Sequence, residues 1–291
     1  MGGSIHTERD DQMDHAQRRF RYWAGLVDDA CNRFRSDSEI SRLNARAGET
    51  VAISATLALA LDAALRAASM TQDLCDPTVL TSLLALGYDR DYDLLATSRT
   101  ILAGAVRRAP GVEAITLDRD ARTATLAPGC QVDLGASAKA LVVDLVANDV
   151  APGGGVVVEI GGDVAVRGQS GRGPWAIGVT DRLTATGREP RIALVDAAVA
   201  TSSTTARTWL AGERRVNHII DPRTGDCADG PYATATVSAS TCLAANAFAT
   251  AALLWGEEAG YHIAQAGWSA RLVRRDGSID LVGGWPSEAA A

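Results

Sequence analysis

Between Val132 and Asp163 the chain reads VDLGASAKALVVDLVA and, shortly after, GGGVVVEIGGDVAV, a pattern that admits few structures. Asp133, Leu134 and Gly135 end an extended segment, Ser137 is a candidate cap, and Ala138 to Ala147 is an apolar-rich helix. Val156 to Ile160 is a strand, apolar except for Glu159. Gly161 and Gly162 then supply the positive φ of a tight turn, and Val164 to Val166 run back, leaving Asp163 at the turn. The same stretch holds an anomaly: of the 28 basic residues, all but Lys139 are arginine. Arginine is a wide planar fork and lysine a compact point charge, so a tight site for one charge does not exchange them freely. Lys139 falls in the first helical turn, where a cation opposes the helix dipole, so helix stability does not account for it. Beside the open N–H groups of a helix start it makes an anion cradle. A solvated surface lysine is the plainer alternative.

A chain of 291 residues, 47% hydrophobic, has ample material for a core. A net charge of -7 argues against nucleic acid as a partner. Cys31, Cys75, Cys130, Cys227 and Cys242 are scattered without a CxxC, which suggests neither a disulfide framework nor a zinc site. The N-terminal MGGSIHTERDDQMDH has no apolar core of a signal peptide, and no stretch has the ~18 uninterrupted apolar residues of a membrane span. The expectation is a cytoplasmic protein with no membrane span. No Pro- or Ser-rich linker divides it, so a single domain over 1–291 is expected.

In chain order, Asp10 to Cys31 reads as an amphipathic helix with Phe20, Trp23, Leu26, Val27 and Ala30 on its apolar face. The polar CNRFRSDSEISRLNARAG follows, in which Asp37 and Ser38 can cap a short turn containing Ser41 and Asn44. Such a loop either binds or merely connects. Ala55 to Met70 is helical, and Pro77 opens the next turn, placing Asp76 and Thr78 at its start, where capping alone would also explain them. ITLDRDARTATLA is a hairpin turning at Arg119 and Asp120. PWAIGVTD, RIALVDA and AVATSS are short strands, and VNHIIDPRTG places His218 in a strand ending in a turn. A histidine there is either a satisfied core residue or a proton handler. CLAANAFATAALLWG is a helix whose Asn246 and Thr250 share a face, as a hard cation would need, although isolated pairs of this kind are common. A closing hairpin turns at Asp276 and Gly277. Strands and helices are segregated rather than alternating, which gives α+β: mixed, largely antiparallel sheets with flanking helices.

The order of these motifs resembles the ApbE-type FAD:protein FMN transferases. The matching segments are SDSEISRLN, CDPT, VDLGASAKA, EIGGDVAVRG, WAIGV, VATSS, HIIDPRTG and the helix with Asn246 and Thr250. The resemblance implies an ApbE-like fold in which FAD is cleaved, FMN is attached through a phosphoester bond to a Thr or Ser of an acceptor protein, and AMP is released, with Mg²⁺ required. It implies that Asp133 and Lys139 contact FAD, with Lys139 near the phosphates, and that Asn44, Asp76, Thr78, Gly161, Gly162 and Asp163 line the pocket. His218 would stand at the reacting phosphate as base or orienting group. Mg²⁺ would be held by the Ala136 carbonyl and the side chains of Asn246 and Thr250. Met1 would match the methionine that begins the family's core, followed by a strand that IHTERDD shows only weakly. Two departures stand out: GASAKA replaces the family's Gly-Gly-Ile-Ala-Lys-Gly, and Asn246 replaces an aspartate, removing one unit of charge from the metal position. Hydrolysis of FAD to FMN and AMP, or flavin binding without catalysis, are the alternatives to transfer.

Overall fold

The computed structural model describes residues 2–95, 99–100, 104–179 and 190–286. Met1 and the end of PWAIGVTD therefore lie outside the described residues. Two compact units form, each assembled from separated stretches of chain: 1–25, 139–203 and 230–291 in the first, 26–138 and 204–229 in the second.

The first unit is built on a seven-stranded antiparallel sheet. Its strands run, in spatial order, Ser4–Thr7, Val156–Ile160, Asp163–Arg167, Ala197–Ser203, Tyr232–Ala239, Ser269–Arg274 and Ile279–Val282. Ser4–Thr7 is the strand that the sequence shows only weakly. It exists because it needs only one neighbour: as the edge of the sheet it pairs Ser4 through Thr7 with Glu159 through Val156, and its side chains stay partly exposed. The glycine pair closes a two-residue hairpin, since Ile160 pairs with Asp163. Gly161 has φ 60° and Gly162 φ 95°, as the turn geometry that matches strand twist demands.

One face of this sheet is covered by the helix Cys242–Trp255, which packs on Ala197–Ser203 and Tyr232–Ala239. Its alanines let the helix backbone approach closely, and it is buried nearly all round. The other face carries the hairpin Trp175–Gly178 with Arg191–Leu194, packed through Ile192 and Leu194 onto Val157, Val166 and Val199. The start of the Cys242–Trp255 helix is held by a residue far away in sequence. Asp144, 8% exposed, accepts the N–H groups of Cys242 (2.8 Å) and Leu243 (3.0 Å). Asp144→Ala leaves two buried donors unmet and should destabilise the protein by about 2–3 kcal/mol. Urea unfolding would show this as a lower midpoint at unchanged slope; an unmoved midpoint would mean the helix end finds other partners.

The second unit contains two three-stranded sheets. In one, Thr123–Leu126 lies between Thr50–Ala52 and Ile115–Asp118, all antiparallel. In the other, Thr208–Ala211 pairs antiparallel with Arg214–Asn217 and parallel with Arg99–Thr100. The helix Ala55–Met70 buries its alanine and leucine face, and Ser54 caps it by accepting the Leu57 N–H. Leu80, Leu83, Leu86, Tyr88, Trp209, Val216 and Ile220 form a separate core, in which the Trp209 indole donates to the Leu86 carbonyl at 2.7 Å. The expected α+β class with largely antiparallel sheets is what the chain adopts.

Candidate functional site

In the first unit, sheet register sets two of the three candidate metal residues, Asn246 and Thr250, against side chains of the sheet. Asp163 pairs with Ala200, so it shares the sheet face of Ala198, Ala200 and Ser202, which is the face beneath the Cys242–Trp255 helix. Four residues of helix rise about 6 Å and two residues of strand about 6.6 Å, so one helical turn above spans one strand repeat below. Asn246 accordingly meets Asp163, its amide nitrogen donating to the carboxylate at 2.8 Å, and Thr250 meets Ser202, hydroxyl to hydroxyl at 3.0 Å. Asp163 and Asn246 are only 3% and 8% exposed. The Gly162 carbonyl accepts the Thr201 N–H, which ties the glycine turn to the same place. Asp163 thus does not merely stand at a turn; it is a buried carboxylate engaged by the helix.

The groups here that can ligate a metal are oxygens, namely the Asp163 carboxylate, the Asn246 amide oxygen and the Ser202 and Thr250 hydroxyls, and that chemistry fits a hard cation such as Mg²⁺. Among the described residues no group of three or more His, Cys, Asp or Glu side chains is arranged to hold a metal, so any cation here rests on mixed oxygen donors. Lys139 is the second residue of the helix Ala138–Val150 and is half-buried.

In the second unit, the turn preceding that helix is clamped from several directions. Ser38 caps the helix Glu39–Ala45, and Asn44 in its last turn grips Val132 at both ends, accepting its N–H (2.8 Å) and donating to its carbonyl (3.0 Å). The Asp133 N–H donates to the Pro77 carbonyl at 2.8 Å, linking the turn to the CDPT segment. There, one oxygen of Asp76 accepts both the N–H and the hydroxyl of Thr78, each at 2.7 Å, and Thr78 in turn accepts the Gly111 N–H. Burial pushes the Asp76 carboxyl above its usual range, against the opposing pull of the Thr78 bonds. Asp133 divides its carboxylate: one oxygen accepts the Gly135 N–H at 2.6 Å and the other meets Arg33 at 2.9 Å. The N–H groups of Ser137 and Ala138 return to the Leu134 carbonyl, to which the Ser137 hydroxyl also donates at 3.5 Å, and together they close the turn. Gly135 and Ala136 are exposed.

His218 lies one residue beyond its expected strand, which ends at Asn217. The reason is local: the Asn217 side chain accepts the Ile219 N–H and donates to the Ala228 carbonyl, both at 3.0 Å, drawing the chain out of the ladder. His218 is half-buried at this bend. The following DPRTG turn needs its glycine, because Gly225 has φ 78° and a Cβ there would lie 1.9 Å from the Arg107 carbonyl oxygen.

Asn44, Asp76, Thr78 and Asp133 are thus gathered around one turn, while Gly162, Asp163, Asn246 and Thr250 are gathered under one helix. Two residues that sequence reasoning passes over belong to these groups. Ser202 could have been found from its alternation with Ala198 and Ala200. Arg33 carries no signal that distinguishes it from the other arginines.

The sequence pattern of the ApbE family matches residues 1–272. The chain belongs to the ApbE family. It is 31% identical over 248 residues to the FAD:protein FMN transferase of Vibrio cholerae serotype O1, covering 82% of this chain and 73% of that protein. It is likewise 31% identical over 246 residues to the FAD:protein FMN transferase of Haemophilus influenzae, covering 80% and 70%. The fold agrees with the flavin transferase ApbE of Vibrio cholerae at a TM-score of 0.74 and 25% identity, over 92% of this chain and 88% of that one. A Thermotoga maritima ApbE protein superposes at 0.81 over 96% and 92%, and at 24% identity that likeness concerns the fold alone. Departures such as Asn246 are therefore those of an ApbE family member.

Proposed function

We propose that this ApbE family member is an FAD:protein FMN transferase that requires Mg²⁺ and modifies a Thr or Ser of an acceptor protein. The observation that carries this is the 31% identity, over most of its length, to proteins named for that activity. The hydroxyl oxygen of the acceptor attacks the FMN phosphorus, the phosphoanhydride bond to AMP breaks, and AMP leaves with the bridging oxygen. His218 takes the hydroxyl proton or orients the hydroxyl, and Lys139 neutralises phosphate charge, as a transfer of this kind mainly requires. Asn246 and Thr250, with Asp163 beside them, are the side chains that would hold Mg²⁺. Bound there, the ion supplies charge neutralisation at the phosphates. In the second unit Asn44, Asp76, Thr78 and Asp133 would serve FAD by contact or by holding the backbone in place; in the first, Gly161 and Gly162 would do so. Asp163 retains a carboxylate next to Asn246. That favours catalysis over flavin binding alone.

All five cysteines are buried free thiols, as suits a reducing compartment, and we place enzyme and acceptor in the cytoplasm. No helix among the described residues is long and apolar enough to cross a membrane.

The test is incubation with FAD, Mg²⁺ and an acceptor bearing an exposed Thr. A fluorescent acceptor band is expected; free FMN without labelling would mean hydrolysis, and unchanged FAD would mean binding only. Lys139→Ala should weaken FAD binding roughly 10–100-fold, the worth of one charge-assisted contact. Unchanged flavin fluorescence titrations would remove Lys139 from the site.

A further inference from the structure

We propose that Arg33 is a positioning residue for FAD, acting through Asp133 on the turn over 133–138; this rests on the transferase function proposed above. The Arg33 side chain is 7% exposed, and its Nε lies 2.9 Å from an Asp133 oxygen. Its Nη1 donates to the Tyr88 carbonyl at 2.8 Å, and its plane sits 4.2 Å from the Phe34 ring centroid and 4.7 Å from that of Tyr88. Only a flat, forked cation meets all four partners at once. The Asp133 oxygen not used by Arg33 accepts the Gly135 N–H, so the direction of the guanidinium fixes that of the carboxylate, and the carboxylate fixes the backbone at Gly135 and Ala136. From there the chain enters the helix that bears Lys139.

A buried ion pair contributes little to stability compared with well-packed apolar groups of the same size. This one also leaves Nη2 buried with no hydrogen-bond partner. What the pair adds is a single orientation for the turn, and none of the other clamps on the turn, at Val132 and at the Asp133 N–H, reaches the Asp133 carboxylate.

The test compares wild type, Arg33→Lys and the double variant Arg33→Met/Asp133→Asn. The double variant removes both charges together, keeps an apolar stem between Phe34 and Tyr88, and keeps an acceptor for the Gly135 N–H. Thermal melting, FAD titration and hydrogen exchange of peptides over 132–138 are measured on each. The double variant is expected to melt close to wild type, to bind FAD roughly tenfold more weakly and to exchange faster in the turn. Arg33→Lys keeps the charge beside Asp133 but not the Tyr88 contact, and its FAD affinity should fall between the two. FAD affinity equal to wild type in either folded variant would overturn the proposal, as would an affinity loss that only tracks melting. A wild-type protein that binds no FAD would instead overturn the transferase function itself.

Discussion

His218→Ala is expected to lower the rate of FMN transfer by roughly 10²–10⁴-fold while FAD still binds, the usual worth of a positioned proton acceptor. The residue is set at a bend that Asn217 creates by taking up backbone groups on both sides, and the DPRTG turn beyond it is packed against the Arg107 backbone. That bracing serves a group whose direction matters. Because Asn217 holds the bend from both sides, the alanine variant should fold. Single-turnover transfer and FAD titration on the same preparation separate the two roles. An unaltered rate would exclude His218 from the mechanism, and a loss of FAD binding equal to the loss of rate would make it a binding group.

Asn246→Asp is expected to have two opposite effects. Asp163 lies 2.8 Å from the Asn246 amide and both are more than nine-tenths buried, so the variant sets two carboxylates against each other. Without a cation, one of them holds a proton and its pKa rises above the unfolded value. The folded state then binds more protons than the unfolded one, so stability falls as pH rises through that raised pKa. At pH 8 the metal-free variant should be about 3 kcal/mol less stable than wild type, and at pH 5 much less affected. Mg²⁺ should reverse the loss and bind at least tenfold more tightly than to wild type, because it gains a second carboxylate. Melting curves with and without Mg²⁺ at the two pH values check both effects. Identical Mg²⁺ titrations of variant and wild type would show that position 246 is not a ligand.

How far the sequence reached differs between the two groups of site residues. The glycine hairpin, the Asn246 and Thr250 spacing and the DPRTG turn were legible because each is set by local chemistry: positive φ, helical period, turn-forming side chains. Asp163 looked like a residue at a turn, and nothing local shows that register puts it opposite Ala200 and under Asn246. Asn44 stands in a polar loop, and nothing local shows that its side chain holds the Val132 backbone, 88 positions away. Arg33 is one of many arginines until the fold presses it between two rings beside Asp133.

By itself, then, the sequence determined the α+β class, the succession of elements and the kinds of groups that carry chemistry, since periodicity, turn residues and side-chain type are properties of short segments. Tertiary structure decided which carboxylate sits beside Asn246, which backbone Asn44 holds and which arginine orients Asp133. Those pairings join residues far apart in the chain, and they follow from strand register and close packing, which no short segment encodes.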